Sequence, residues 1–279
     1  MALSIGYSPC PNDTYIFYAL VHGLIPLTSF ALDKPQLEDV ETLNAWAMQG
    51  RLDVTKLSFH ALGYVLDQYS VLQSGAALGR GCGPLLITGK QAKPADMKNW
   101  TIAIPGNYTT AAMLLKLYAP EVLHLQEMRF EQIIPAVAEG KVDGGVIIHE
   151  SRFTYQEQGL ECVQDLGQWW EDLTGLPLPL GCIAAKRSLS AEVVEELDLA
   201  IKKSLEWTRA HPTACTTYIQ RYAQELDDEV VSSHIGLYVN DFSLGLGAEG
   251  VAAVEELLRR GVDAGVFADP GSRGWQLSR

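Results

Sequence analysis

Short apolar runs that read as buried strands alternate along the chain with stretches whose apolar residues recur at helical spacing. One such strand, Gly144-Gly-Val-Ile-Ile148, passes directly into a polar run, His149-Glu150-Ser151-Arg152. Ser190 can cap a helix that has Glu192 in its first turn and Val193, Val194, Leu197 and Ile201 along one stripe. Further helical stretches are predicted at about 226 to 240 and 248 to 260. Strands and helices in this alternation predict an α/β protein.

The pattern also repeats. AWAMQGRLDVTKLSF (residues 45 to 59) is echoed by PAVAEGKVDGGVIIH (135 to 149) at a constant offset of 90 residues. Each copy reads as an amphipathic helix ending at a glycine, Gly50 or Gly140, the residue best suited to a left-handed position after a helix. A basic residue, an apolar residue and an aspartate (Asp53 or Asp143) then lead into the strand, which ends at Phe59 or His149. The strand starts compare too. LSIGYSPCPNDTYIFYAL (3 to 20) and WTIAIPGNYTTAAMLLKLYA (100 to 119) each read as a strand, a Pro/Gly/Asn loop and a helix opening near Thr14 or Thr110. Two βαβ-type units of similar plan are therefore expected.

Two such units usually close over a ligand, and open α/β sheets bind at the carboxyl ends of their strands. That rule selects residues 8 to 14, Lys56 to Ser58, residues 105 to 111 and His149. Lys56 and Ser58 share one face of their strand by the period of two. GCGPLLITGK (81 to 90) and LPLPLGCIAAKR (176 to 187) read as extended crossings between the units, as a two-strand hinge requires. The expected division is residues 1–88 plus 183–279 in a larger, discontinuous α/β lobe and 89–182 in a smaller one.

Composition narrows the function. With 279 residues, 47% of them hydrophobic, the chain can bury a substantial core. Its formal net charge of -13 argues against nucleic acid or an anionic membrane surface as partner. An anionic small molecule needs a local cluster of cations and backbone N–H groups to overcome that field. Cys10, Cys82, Cys162, Cys182 and Cys215 show no C-x-x-C spacing, so reduced thiols are expected rather than disulfides or a zinc site. No apolar segment reaches the roughly 18 residues of a membrane span, and the N-terminus lacks the pattern of a secretion signal. A soluble, cytoplasmic protein is expected.

Among the chemical residues His149 leads, because an unperturbed histidine titrates near 6.5 and exchanges protons at neutral pH. A strand-end histidine can equally bond a backbone carbonyl and do nothing more. His22 and His60 read as helical residues, and His124, His211 and His234 have no neighbours of interest in the sequence. No H-E-x-x-H or similar ligand cluster appears, so no metal is expected. Asn12, Asp13 or Thr14 can cap the first helix, and Thr110 with the N–H of Ala111 can hold a carboxylate or hydroxyl at the second. Cys10 would be a nucleophile only with a partnered base, which the sequence does not supply. Arg80 reads as solvated, and the pair Trp169-Trp170 reads as packing or as the flank of a flat ligand.

Several long strings together resemble one family: SPCPNDTYIFYALVHG, LEDVETLN, TKLS, SGAALGRGCGPL, IPGNYTTA, IIHESRFTY and TGLPLPLG. They resemble the 1,4-dihydroxy-6-naphthoate synthases of the futalosine route to menaquinone, from about residue 4 to about residue 245. The resemblance implies a two-lobed, periplasmic-binding-protein-like (type II) fold with a ligand cleft between the lobes. It implies a carbon–carbon lyase that converts cyclic dehypoxanthine futalosine to 1,4-dihydroxy-6-naphthoate with loss of the sugar-derived fragment, without cofactor or metal. It makes His149 the proton acceptor and Lys56, Leu57, Ser58, Thr110 and Ala111 the substrate-binding residues. Lys56 and the N–H groups of Thr110 and Ala111 would then meet the substrate's carboxylate. Two alternatives stay open: the chorismate dehydratase of the same route, and a non-catalytic small-molecule-binding protein. The SPCPNDT and IIHESRFTY strings favour the synthase.

Overall fold

The computed structural model of the chain describes residues 1–89, 94–149, 151–223, 227–269, 275 and 277. The first segment runs β1 (Ala2–Leu3), β2 (Ile5–Tyr7), α1 (Pro11–Val21), β3 (Ala31–Leu32), β4 (Gln36–Leu37), α2 (Val40–Met48), β5 (Val54–Ser58), α3 (Phe59–Val65), β6 (Tyr69–Val71) and β7 (Ala77–Gly79). A middle segment follows. It holds β8 (Leu85–Thr88), β9 (Thr101–Ile104), α4 (Thr110–Tyr118), β10 (His124–Glu127), α5 (Phe130–Ala138), β11 (Gly144–Ile147), α6 (Ser151–Thr154), β12 (Glu161–Asp165) and α7 (Leu166–Thr174). The chain then returns. β13 (Leu178–Lys186) leads into α8 (Ala191–Ala210), α9 (Thr216–Tyr222), α10 (Asp228–Tyr238), α11 (Asp241–Leu244) and α12 (Gly247–Asp263).

Two sheets share one plan. The first is ordered β4-β2-β5-β13-β6 and the second β10-β9-β11-β8-β12. In each, three parallel strands are followed by an antiparallel one, β13 beside β5 and β8 beside β11. The echo in the sequence has a physical reason in this plan. Gly50 and Gly140 turn the chain after α2 and α5 in the left-handed conformation, with φ of 61° and 68°. Asp53 then accepts the N–H of Ser4 at 3.0 Å, and Asp143 accepts that of Thr101 at 2.8 Å. In both units the aspartate ahead of the third strand ties down the start of the first.

The crossings lie earlier than the sequence reading put them. β8 pairs with β11 and β12, so the chain has left the first sheet before residue 85, not at 88. On return, Leu178 already pairs with Gly79 of β7, so the boundary precedes 178 and not 183. An apolar run flanked by Pro and Gly looks the same in sequence whether it is linker or strand, and hydrogen-bond pairing decides. Pro179 is tolerated inside β13 because the register shifts between Pro179 and Gly181. Lys90, the end of the first expected crossing, lies outside the described residues.

One buried cluster joins the sheets: Leu57 and Leu62 from the first unit, Ile102 and Ile104 from the second, Met113 of α4 and Leu257 of α12. Burying α4 in this way fixes its first turn against β13. α1 begins at Pro11, three residues ahead of Thr14, because proline at the first helical position lacks only an N–H the helix would leave unused. Among the described residues no helix is long and apolar enough to cross a membrane.

Candidate active site

The carboxyl ends of β2, β5 and β11 and the first turn of α4 converge on a cavity of about 640 Å³, its open mouth included. Ser8, Asn12 and Asp13 enter its wall from the turn after β2, Lys56 and Ser58 from β5, and Thr109, Thr110 and Ala111 from α4. His149 enters from the end of β11. Of the expected site residues, Leu57 alone does not line it. Its side chain is fully buried in the core on the other face of β5, as the strand's alternation requires. Phe59, the counterpart of His149 in the repeat, starts α3 and is likewise buried in the core.

Lys56 does not present a bare charge. Its Nζ is 2.5 Å from Asp13 Oδ1, and both side chains are almost fully buried. Asp13 Oδ2 in turn accepts the Ser8 hydroxyl at 2.7 Å and its N–H at 3.2 Å. Asp13 is therefore a buried counter-ion and not a helix cap; Cys10 occupies the cap position, with no side-chain cap bond. Because Lys56 is compensated, the positive potential for an anion falls mainly to α4. The N–H groups of Thr110 and Ala111, in its first turn, have no partner within the helix. Thr109 caps that helix, its hydroxyl accepting the Ala112 N–H at 3.2 Å. Thr110 donates instead to the Leu180 carbonyl at 2.7 Å. Ser58 is held by buried Asn44, which accepts the Ser58 N–H at 2.9 Å and donates to its hydroxyl at 3.2 Å.

Among the described residues His149 is the one non-glycine residue with a positive φ, 57°. Left-handed backbone costs a side-chain-bearing residue about 1–3 kcal/mol and persists where the surroundings enforce it. Here the turn swings the imidazole out of line with β11 and across to the first unit. Its Nε2 lies 3.9 Å from Cys10 Sγ. Phe130 meets the ring edge-on at 5.2 Å, and His234 lies nearly parallel to it at 5.9 Å. Glu150, the next residue of the polar run, lies outside the described residues.

Residues 3–263 match the model of the protein family described as Menaquinone biosynthesis. The chain belongs to this menaquinone-biosynthesis family. It is 49% identical over 271 residues to the 1,4-dihydroxy-6-naphthoate synthase of Thermus thermophilus, covering 96% of each chain. It is 45% identical to the enzyme of the same name from Streptomyces coelicolor, covering 95% of this chain and 94% of that one. In fold it resembles a Candida albicans protein described as having the generic periplasmic binding protein fold, with a TM-score of 0.69 and 14% identity over 96% of this chain and 92% of that one.

The structure of this family member brings in two residues that sequence reasoning missed. His234, fully buried on α10, places Nε2 3.0 Å from Asn12 Oδ1. Asn12 Nδ2 donates to Asp13 Oδ1 at 2.9 Å, which fixes the amide and makes His234 Nε2 the donor. Burial, with His149 and Lys56 adding to it, pushes His234 well below the usual histidine range, so it is neutral. His60 is also neutral, pushed by burial to about 4, and bonds the Thr109 carbonyl at 3.0 Å. Arg80 is paired with Glu249 at 3.0 Å, and buried Trp170 donates to the Pro177 carbonyl at 3.1 Å, so both serve packing between segments. No cluster of metal-ligating side chains occurs among the described residues.

Proposed function

We propose that the chain converts cyclic dehypoxanthine futalosine to 1,4-dihydroxy-6-naphthoate, acting as a carbon–carbon lyase with His149 as the base. The observation that carries this reading is the place of His149: a strained strand-end imidazole on the cavity wall, facing Lys56, Ser58 and the first turn of α4. The two curated relatives named for this product match nearly the whole chain. His149 removes one proton from the substrate. The carbon–carbon bond then breaks, the sugar-derived fragment leaves, and formation of the aromatic naphthalene diol drives the last stage. The cavity supplies alignment, which is worth several kcal/mol when reacting groups are held in position.

Ser58, Thr110 and the N–H groups of Thr110 and Ala111 hold the substrate, with the carboxylate at the head of α4. Lys56 acts as a donor already balanced by Asp13. The two sheets form hinged lobes whose crossings are residues 80–84 and the segment before β13. The net charge of -13 favours a soluble small-molecule enzyme that binds no nucleic acid, and five cysteines without C-x-x-C spacing favour the cytoplasm.

The test is incubation with cyclic dehypoxanthine futalosine and, separately, with chorismate. Naphthoate is expected from the first alone. His149→Asn should lose about 10²–10⁴-fold in kcat while its circular dichroism and product affinity persist. Near-normal turnover by that variant, or dehydration of chorismate by the wild type, overturns the reading.

A further inference from the structure

The imidazole of His149 is met from the far side of the cleft by the ring of His234. His149 follows β11 in the second sheet, whereas His234 sits on α10, which packs against α1 of the first unit. The rings are inclined by only 18°, and Phe130 of α5 closes another edge. His234 is fully buried and lies behind the cavity wall, beside His149 and bonded to Asn12, which do line it. Its orientation is set by a buried chain of side chains. Lys56 pairs with Asp13, Asn12 donates to Asp13, and Asn12 accepts from His234, every member being no more than 5% exposed.

We propose that His234 is a positioning residue for His149, fixing the imidazole in its working orientation through the chain Lys56–Asp13–Asn12–His234. The inference rests on the reading of His149 as the base. Two independent features of geometry support it. The backbone of His149 is strained, so the ring direction is one that a relaxed strand end would not adopt. The ring it packs against is locked through its own hydrogen bond and cannot rotate away without leaving Asn12 unpaired in the interior. A neutral neighbour also adds no like-charge repulsion when His149 takes up a proton. Because His149 follows β11 of the second sheet and His234 sits on α10 against the first unit, the oriented base exists only when the two units are together.

Glutamine places its amide N–H where histidine has Nε2, and asparagine stops about where histidine has Nδ1. His234→Gln therefore preserves the bond to Asn12, and His234→Asn does not reach it. With the full chain and cyclic dehypoxanthine futalosine, His234→Asn is expected to lose about 10²-fold in kcat with KM little changed, the scale of a ~1 Å misplacement. His234→Gln should recover most of that loss. Circular dichroism sets the folded fraction for each. If His234→Asn does not fold, Asn12→Leu removes the acceptor instead and should show the same kcat loss. His149→Asn, run in parallel, separates the two readings. If it turns over normally, the base assignment fails. If it is inactive while His234→Asn, or Asn12→Leu in its place, matches the wild-type kcat, the positioning role fails. A His234→Gln variant as slow as His149→Asn overturns it as well, since His234 would then be the proton acceptor.

Discussion

A lysine that is 5% exposed keeps its charge in an interior only with a partner at contact distance, and Asp13 at 2.5 Å is that partner. Removing one member leaves the other buried and uncompensated, at a cost of roughly 3–5 kcal/mol, while removing both leaves neither. Lys56→Met should lower the unfolding free energy in urea by about that much, and adding Asp13→Leu should restore a large part. Equal losses in the single and double variants would show that the pair is not the unit of stability. Thr110 has its N–H at the head of α4 and its hydroxyl on the Leu180 carbonyl, and the proposed function gives it a binding role. Thr110→Val is expected to raise KM more than it lowers kcat; an unchanged KM with a collapsed kcat would reverse that role. At this scale the sequence put His149, Lys56, Ser58, Thr110 and Ala111 at strand ends or a helix start, and all five line the cavity, because such ends are local patterns. It did not show His234, which meets Asn12 across 222 residues with no spacing to betray it. Leu57 travelled with its neighbours in the motif although alternation turns it into the core.

The elements were legible where a local signal forces the backbone. Gly50 and Gly140 end α2 and α5 as expected, and Ser190 caps α8 by accepting the Val193 N–H at 3.4 Å. They were not legible where pairing decides, as for β8 and β13, nor for α9, whose seven residues include a single fully buried side chain, Ile219. Asp53 shows how an element is anchored. Burial alone would raise its pKa, but the Ser4 hydroxyl and N–H and then Lys186 outweigh burial and lower it. A carboxyl lowered in this way stabilises the fold fully above the unfolded aspartate value, about 3.9. That contribution fades as pH falls through the folded value. Asp53→Asn should therefore be less stable than the wild type near neutrality, and the gap in melting temperature should narrow as the pH falls below about 3.9. A gap independent of pH would mean that the anchor is not the ionised carboxylate.

For the whole molecule, Glu41 is one of the groups that span the lobes. From α2 its carboxylate accepts the N–H of Tyr108, in the loop that opens α4, at 3.0 and 3.2 Å. Gly106, at φ 149°, is required beside it, since any side chain there would collide with Glu41. Burial raises the pKa of Glu41 against the opposing hydrogen bonds from Tyr108 and Asn44. For a raised carboxyl the sign is opposite to that of Asp53. Ionisation costs the contact with Tyr108 stability, a cost absent below the unfolded value, about 4.3, and complete above the raised one. The junction of α2 with Tyr108 is thus a balance between hydrogen bonds and the burial of a charge. Glu41→Ala removes both and, with no donor or acceptor left to join α2 to Tyr108, should give a larger radius of gyration by X-ray scattering without ligand than the wild type. Glu41→Gln keeps an acceptor oxygen and buries no charge, so it should stay compact. Acidification from neutrality toward the unfolded value, about 4.3, should tighten the wild type and leave Glu41→Gln unchanged. If all three proteins scatter alike, with and without 1,4-dihydroxy-6-naphthoate, the contact between Glu41 and Tyr108 is not what holds the lobes together.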